Sequence, residues 1–218
     1  MKNFSIILFI LIIASCCRQK AVDNNLTVTT PQTESQKNEV IETIMERRSI
    51  RAYKTTPVGR DTMDIIAKCG INAANGMNAQ RWELRIVDDT NFINSTTRLF
   101  IEKMKSDPRG AKMVSDSSFK NMYRNAPTIV FIATEKGEAL IDCGLLAGNM
   151  LLSAKSMGIG SCCLGGPVRF FDSPEAKKYL DKLDFSEQYK LALIIGFGYP
   201  DQTPEAKPRD ESKIKWYN

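Results

Sequence analysis

Two apolar runs constrain the fold of this 218-residue chain more than any other feature. Residues 128–133 (TIVFIA), bounded by Pro127, read as a buried strand, and residues 191–197 (LALIIGF) are the most strand-like stretch in the sequence. Between them, residues 138–157 carry Leu140, Cys143, Gly144, Ala147, Met150, Leu151 and Ala154, the pattern of a long and largely buried helix. Gly144 and Gly148 leave room for another helix to approach closely. Buried strands mixed with a buried helix, with no internal repeat, predict α+β or a three-layer α/β/α sandwich.

The remaining elements follow from shorter signals. Asn38 is placed to cap a helix that carries Val40, Ile41, Ile44 and Met45 and ends at Arg47 and Arg48. An extended link over 53–59 leads to a second helix from about Asp61, with Met63, Ile66, Ala67, Gly70 and Ala74 on one face and Asn75-Gly76 as its breaker. Residues 82–87 alternate as a strand, and Phe92, Thr96, Leu99 and Phe100 mark another helix. Residues 105–125, interrupted by Pro108-Arg109-Gly110, are predicted to be a mobile cover with a short helix inside it. Residues 159–164 form a short strand ending in a turn at Gly165-Gly166-Pro167, and Ser173-Pro174 opens a charged helix. The polar tail beyond Pro200 regains bulk at Ile214 and Trp216, which suggests an end packed on something such as a partner subunit.

The chain has no histidine. That excludes Ser-His-Asp and Cys-His hydrolases, His-ligated zinc or haem, and a histidine general base. Any enzyme chemistry must then use other groups or a cofactor. There are 30 Lys and Arg against 25 Asp and Glu, without a long basic run, so nothing calls for nucleic acid. No G-x-G-x-x-G or G-x-x-x-x-G-K pattern is present.

The first residues are of another kind. Lys2 followed by a short apolar run from Phe4 to Ala14 has the form of an export signal, too short to span a membrane comfortably. Ile13-Ala14-Ser15-Cys16 resembles a bacterial lipobox, in which Cys16 is lipidated after cleavage. The expected organisation is a lipoprotein signal over 1–15, a flexible Thr-, Asn- and Gln-rich tether over 16–38, and one domain over 39–218, exported and anchored to a bacterial membrane. Of the later cysteines, Cys69 and Cys143 fall on apolar helix faces, and Cys162-Cys163 lies in a strand with no pairing fixed.

Three segments could carry chemistry. Arg47-Arg48-Ser49-Ile50-Arg51 offers guanidinium forks and a hydroxyl suited to phosphate, or simply a solvated helix end. Asn75-Gly76-Met77-Asn78-Ala79-Gln80 offers carboxamides that pair with heterocycle edges, or a plain helix-terminating turn. Lys207 and Arg209, two apart in an extended tail, can grip one anion. The Leu164-Gly165-Gly166 turn could bring backbone N–H groups close to a ligand.

In order, RRSIRAY (47–53), NGMNAQRW (75–82), APTIVFIAT (126–134), the 142–166 stretch ending in CCLGG, LALIIGFGYP (191–200) and AKPR (206–209) resemble the nitroreductase family of FMN-dependent oxidoreductases. The resemblance covers about 40–216. It implies a mainly antiparallel sheet flanked by helices. Arg47, Arg48, Ser49, Arg51, Lys207 and Arg209 would hold the FMN phosphate and ribityl chain. Asn78 and Gln80 would contact the flavin, with the backbone of Leu164, Gly165 and Gly166 facing its ring. It further implies a homodimer with FMN at the interface under the partner's tail. NAD(P)H, or another donor for an exported protein, would pass hydride through FMN to a nitroaromatic, quinone or similar acceptor. Phe119 and Tyr123 are the candidates to face that acceptor. Two departures, Arg81 before Trp82 and Cys162-Cys163 before Leu164, bear on substrate choice. The alternatives are a non-catalytic surface flavin protein, or a related dehalogenating or flavin-cleaving enzyme.

Overall fold

The two apolar runs become the central strands of one sheet. The structure, a computed structural model, describes residues 38–135 and 140–217; the expected signal, Cys16 and most of the tether lie outside them. Strands β1 (Trp82–Val87), β2 (Thr128–Glu135), β3 (Gly160–Cys163) and β4 (Tyr189–Gly198) line up in the order β1-β2-β4-β3, every neighbour antiparallel. β2 is apolar on both sides of its pleat because both faces are covered. Ile129 and Phe131 point into one core, and Val130 and Ile132 into the other.

The first core lies under α3 (Thr90–Met104), α6 (Gly165–Phe170), α7 (Pro174–Asp181) and the loop after α4 (Pro108–Val114). Its centre is aromatic: Phe131 meets Tyr123, Phe92 and Phe171 edge to face, with centroids 5.5–6.0 Å apart. The second core lies under α2 (Arg60–Ile71) and α5 (Leu140–Ser156), where Met63, Ile66, Leu146 and Met150 meet Ile195 and Phe197. The helices thus form two layers around an antiparallel sheet, an α+β sandwich. Between Ile132 and Ala133 the β2–β4 register shifts by one residue, leaving Ala192 as a bulge.

Local signals explain most element ends. The Asn38 side chain accepts from the amides of Val40 (3.1 Å) and Ile41 (3.2 Å) and so opens α1 (Glu39–Glu46). Asp107 does the same for Gly110 at 2.6 Å, with Pro108 in the first turn of α4. Helix α2 stops at Ile71, so Ala73 and not Ala74 is buried. The close helix approach is at Gly70: a Cβ there would lie 2.5 Å from Met150 Cγ. Gly144 and Gly148 have nothing within 4 Å of a Cβ and face away from the chain's own helices. Residues 165–167, expected as a turn, open α6.

Two apolar surfaces find no cover among the described residues. No residue of α1 is buried, so Val40, Ile41, Ile44 and Met45 all stay exposed. At the other end Ile214 and Trp216 are 75% and 91% exposed, uncovered by the described residues. Among the described residues no helix is long and apolar enough to cross a membrane.

Candidate functional site

The segment after α1 runs beside β3. Ser49 bridges Ser161 in parallel, and the Ile50 amide donates to the Ser161 carbonyl at 3.0 Å. β3 then passes through Cys162 and Cys163 into Leu164, which is extended and buried and whose amide donates to the Ile194 carbonyl at 2.8 Å. Gly165 and Gly166 follow as the first residues of α6.

This junction opens on a cavity of about 740 Å³. Arg51, Leu164, Gly165, Gly166 and Phe119 all line it. Phe119 stacks on Phe100 (6.4 Å, 12° between planes), and Phe170 meets Phe100 edge to face at 5.6 Å. These rings give the cavity an aromatic wall. A second hollow of about 220 Å³ is lined by Arg47, Arg48, Ser161 and Lys155, with Gln202, Thr203 and Pro204 of the tail. The basic segment is therefore shared between two hollows to which β3 contributes.

The other expected residues lie outside the larger cavity. Arg48 donates to the carbonyls of Met45 (2.6 Å) and Arg47 (2.9 Å), closing the end of α1. Asn78 and Gln80 sit exposed on the turn before β1, where Met77, Asn78 and Gln80 all have positive φ (50–54°). The Asn75 side chain pins that turn, its Oδ1 accepting from the Gln80 amide at 2.9 Å. Lys207 and Arg209 are exposed, the Arg209 guanidinium turned back onto the Lys207 carbonyl at 3.1 Å. None of these five is among the described lining residues of the larger cavity. Tyr123 is a correction to the substrate-facing assignment: it is fully buried, and its hydroxyl lies 2.9 Å from Thr96 Oγ1 in the core.

Two titratable groups at the junction are displaced from their usual behaviour. Cys163 is exposed, yet the protein around it desolvates its thiol. That desolvation pushes the thiol up, Cys162 adds to it, and the Arg47 charge opposes it. Burial also pushes the Tyr53 phenol far up, with Cys162 adding and Arg51 opposing; its hydroxyl donates to the Ile50 carbonyl at 2.5 Å.

The chain matches a family described as the nitroreductase family over residues 44–199. The chain belongs to the nitroreductase family. It is 27% identical over 173 residues to the NADPH-flavin oxidoreductase of Vibrio harveyi, covering 79% of this chain and 70% of that one. It is 26% identical over 186 residues to an FMN reductase (NADPH) of Bacillus subtilis, with the same coverage of each chain. Among solved structures, a nitroreductase with bound FMN from Bacteroides fragilis superposes with a TM-score of 0.74 at 28% identity, covering 84% of this chain and all of that one.

The cavity of this nitroreductase-family chain suits a flat, anionic cofactor. Gly165 and Gly166 leave open space where side chains would otherwise stand, with nothing within 4 Å of either Cβ position. As the first residues of α6 their N–H groups have no acceptor inside the helix, and Pro167 brings none. Sequence spacing did not reveal the aromatic wall. Phe100 and Phe170 lie on separate helices, each indistinguishable from a core residue, and only the fold brings them together.

Proposed function

We propose that this protein is an FMN-dependent oxidoreductase that accepts hydride from NAD(P)H or another donor and passes it to a nitroaromatic, quinone or similar acceptor. The observation that carries this reading is the meeting of Arg51 with the Leu164-Gly165-Gly166 backbone around one aromatic-walled cavity. Arg47, Arg48, Ser49 and Arg51 would hold the phosphate and ribityl chain, and the two glycine N–H groups would face the ring. Bound FMN supplies hydride transfer by itself, which is why a chain without histidine can serve. The protein's part is to bind, orient and keep the ring face dry.

The reading includes a homodimer whose second copy completes the site. It is supported by what a single chain leaves open: the apolar α1 face, Ile141 (80% exposed) and Leu145 beside Gly144 on α5, and the uncovered Trp216. Asn78, Gln80, Lys207 and Arg209 would reach flavin only across such an interface. The reading also includes lipidation at Cys16 and anchoring to a bacterial membrane on its periplasmic or cell-surface side. Metabolic labelling with palmitate tests that, and a Cys16→Ser chain should take up none.

The deciding experiment is the absorption spectrum of the purified domain before and after anaerobic NADPH. A yellow protein that bleaches supports the enzyme. Bound flavin that never bleaches with NADH, NADPH or a quinol would leave only a flavin carrier. Arg47→Ala and Arg209→Ala should each lose FMN retention, and sedimentation should give twice the chain mass.

A further inference from the structure

Beyond the residues assigned to flavin, the cavity carries a charge that the reaction does not require. Lys103, Arg124 and Arg169 line it together with Arg51, and Asp116 is the only carboxylate among the lining residues described. Asp116 neutralises none of them. Its carboxylate accepts from the Ser118 amide (2.8 Å) and hydroxyl (2.7 Å), which hold it below the usual carboxylate range. Lys103 is paired with Glu175 at 3.3 Å. The guanidiniums of Arg124 and Arg169 have no ion-pair partner among the described residues.

Arg124 is also held where it stands. It and Asn125 are consecutive non-glycine residues at positive φ (58° and 66°), a conformation that persists only when its surroundings impose it. Here the imposition is visible. The Asn121 side chain accepts from the amides of Tyr123 and Asn125, both at 2.9 Å, and the Asn125 side chain accepts from those of Lys120 (2.8 Å) and Asn121 (3.1 Å). Asn125 Nδ2 adds a bond to the Ser118 carbonyl at 2.8 Å, and Tyr123 anchors the loop in the core. The result presents a guanidinium on the same cavity as the Phe100–Phe119 stack.

We propose that Arg124 and Arg169 select an aromatic substrate that carries an anionic group, a carboxylate, sulfonate or phosphate, with the ring against Phe100 and Phe119 and the anion on the arginine pair. This rests on the oxidoreductase reading and names its substrate class. A guanidinium fork matches such oxyanions, and an unpaired one gives up no existing partner to bind them. The same chemistry fits two sources: an anionic acceptor, or the additional phosphate that distinguishes NADPH from NADH.

Isothermal titration calorimetry of the oxidised protein separates them, with flavin content measured on the same sample. The first arm compares 4-nitrobenzoate with neutral 4-nitrobenzyl alcohol, and the second compares NADP+ with NAD+, which differ by the same phosphate and cannot reduce the flavin. The expected result is a preference for the more anionic ligand of about 3- to 10-fold, the range open to solvent-accessible charge pairs. Arg124→Gln and Arg169→Gln should each reduce that preference while leaving the affinity for the neutral alcohol and FMN retention unchanged. A preference in the first arm assigns the anion to the acceptor, and one in the second assigns it to the donor. No charge preference in either arm, or one that survives both substitutions, overturns the proposal. A yellow sample with that outcome still leaves the oxidoreductase reading standing. A colourless sample that takes up no FMN removes that reading, while the calorimetry still decides the arginine pair.

Discussion

The amide of Ile50 donates to the carbonyl of Ser161 at 3.0 Å, and this bond fastens the basic segment to the strand that leads to Gly165. The space for it comes from Gly160. A Cβ there would stand 3.0 Å from Cβ, Cγ1 and Cγ2 of Ile50, a β-branched residue that yields little. Gly160→Ala should therefore destabilise the domain by about 1 kcal/mol, the mild end of overpacking, lowering Tm by roughly 2–4 °C. It should also weaken FMN retention by displacing Arg47 and Arg51 relative to β3. Thermal melts and flavin content of the purified variant check both effects.

Tyr123→Phe separates a packing role from a substrate role. The variant loses the bond to Thr96, whose hydroxyl still reaches the Phe92 carbonyl (2.9 Å) and the Ile93 carbonyl (3.1 Å). Because no buried partner is orphaned, the expected loss is about 0.5–1.5 kcal/mol in urea unfolding. KM for the acceptor should not change; a several-fold rise would return Tyr123 to the substrate site.

What the sequence made legible has a physical boundary. Periodicity located α1 through Val40, Ile41, Ile44 and Met45, but a period reports that a face is apolar and not what covers it; here none of the described residues does. Gly165-Gly166-Pro167 reads as a turn because all three residues are poor in a helix interior. At a helix start the amides have no intrahelical partner anyway, so the usual penalty is small and α6 begins there. Arg51 and the Leu164-Gly166 stretch were legible as ordered segments resembling a family. Arg124 and Arg169 were not, since no spacing connects a loop before β2 with the last turn of a helix after β3.

Buried phenols predict the alkaline limit of stability. Burial pushes up both Tyr53 and Tyr123, partly offset at Tyr123 by its bond to Thr96. An unfolded tyrosine ionises near about pH 10, whereas these two keep their protons when folded. The folded state then holds more protons than the unfolded one. Their contribution is intact below about pH 10 and falls above it, by up to about 1.4 kcal/mol per pH unit for each phenol. Urea midpoints measured from pH 8 to 11 should fall less steeply for Tyr53→Phe than for the parent, whatever the variant's stability at neutral pH.

Cys163 predicts a slow thiol. With desolvation and Cys162 pushing its pKa up, alkylation by iodoacetamide should reach half its maximal rate at a pH above the ordinary thiol value of about 8.5. Arg47→Ala removes the opposing charge and should move that midpoint higher still. Rates followed by mass spectrometry of the Cys163 peptide check the direction; a midpoint below that of free cysteine would contradict it.

The bulge at Ala192 gives β4 a property that its unbroken appearance conceals. From Leu193 to Phe197 odd-numbered side chains serve the α2–α5 core, yet Leu191 serves the opposite one, with Ala192 beside Leu193 on the same side. The ten-residue strand is thus two segments spliced out of phase. Removing Ala192 would shorten it by about 3.4 Å and join Leu191 to Leu193 in normal alternation, each keeping its own core and its own partner on β2. Away from the bulge, for instance at Ile195, a single-residue deletion would instead exchange inside for outside along the rest of the strand.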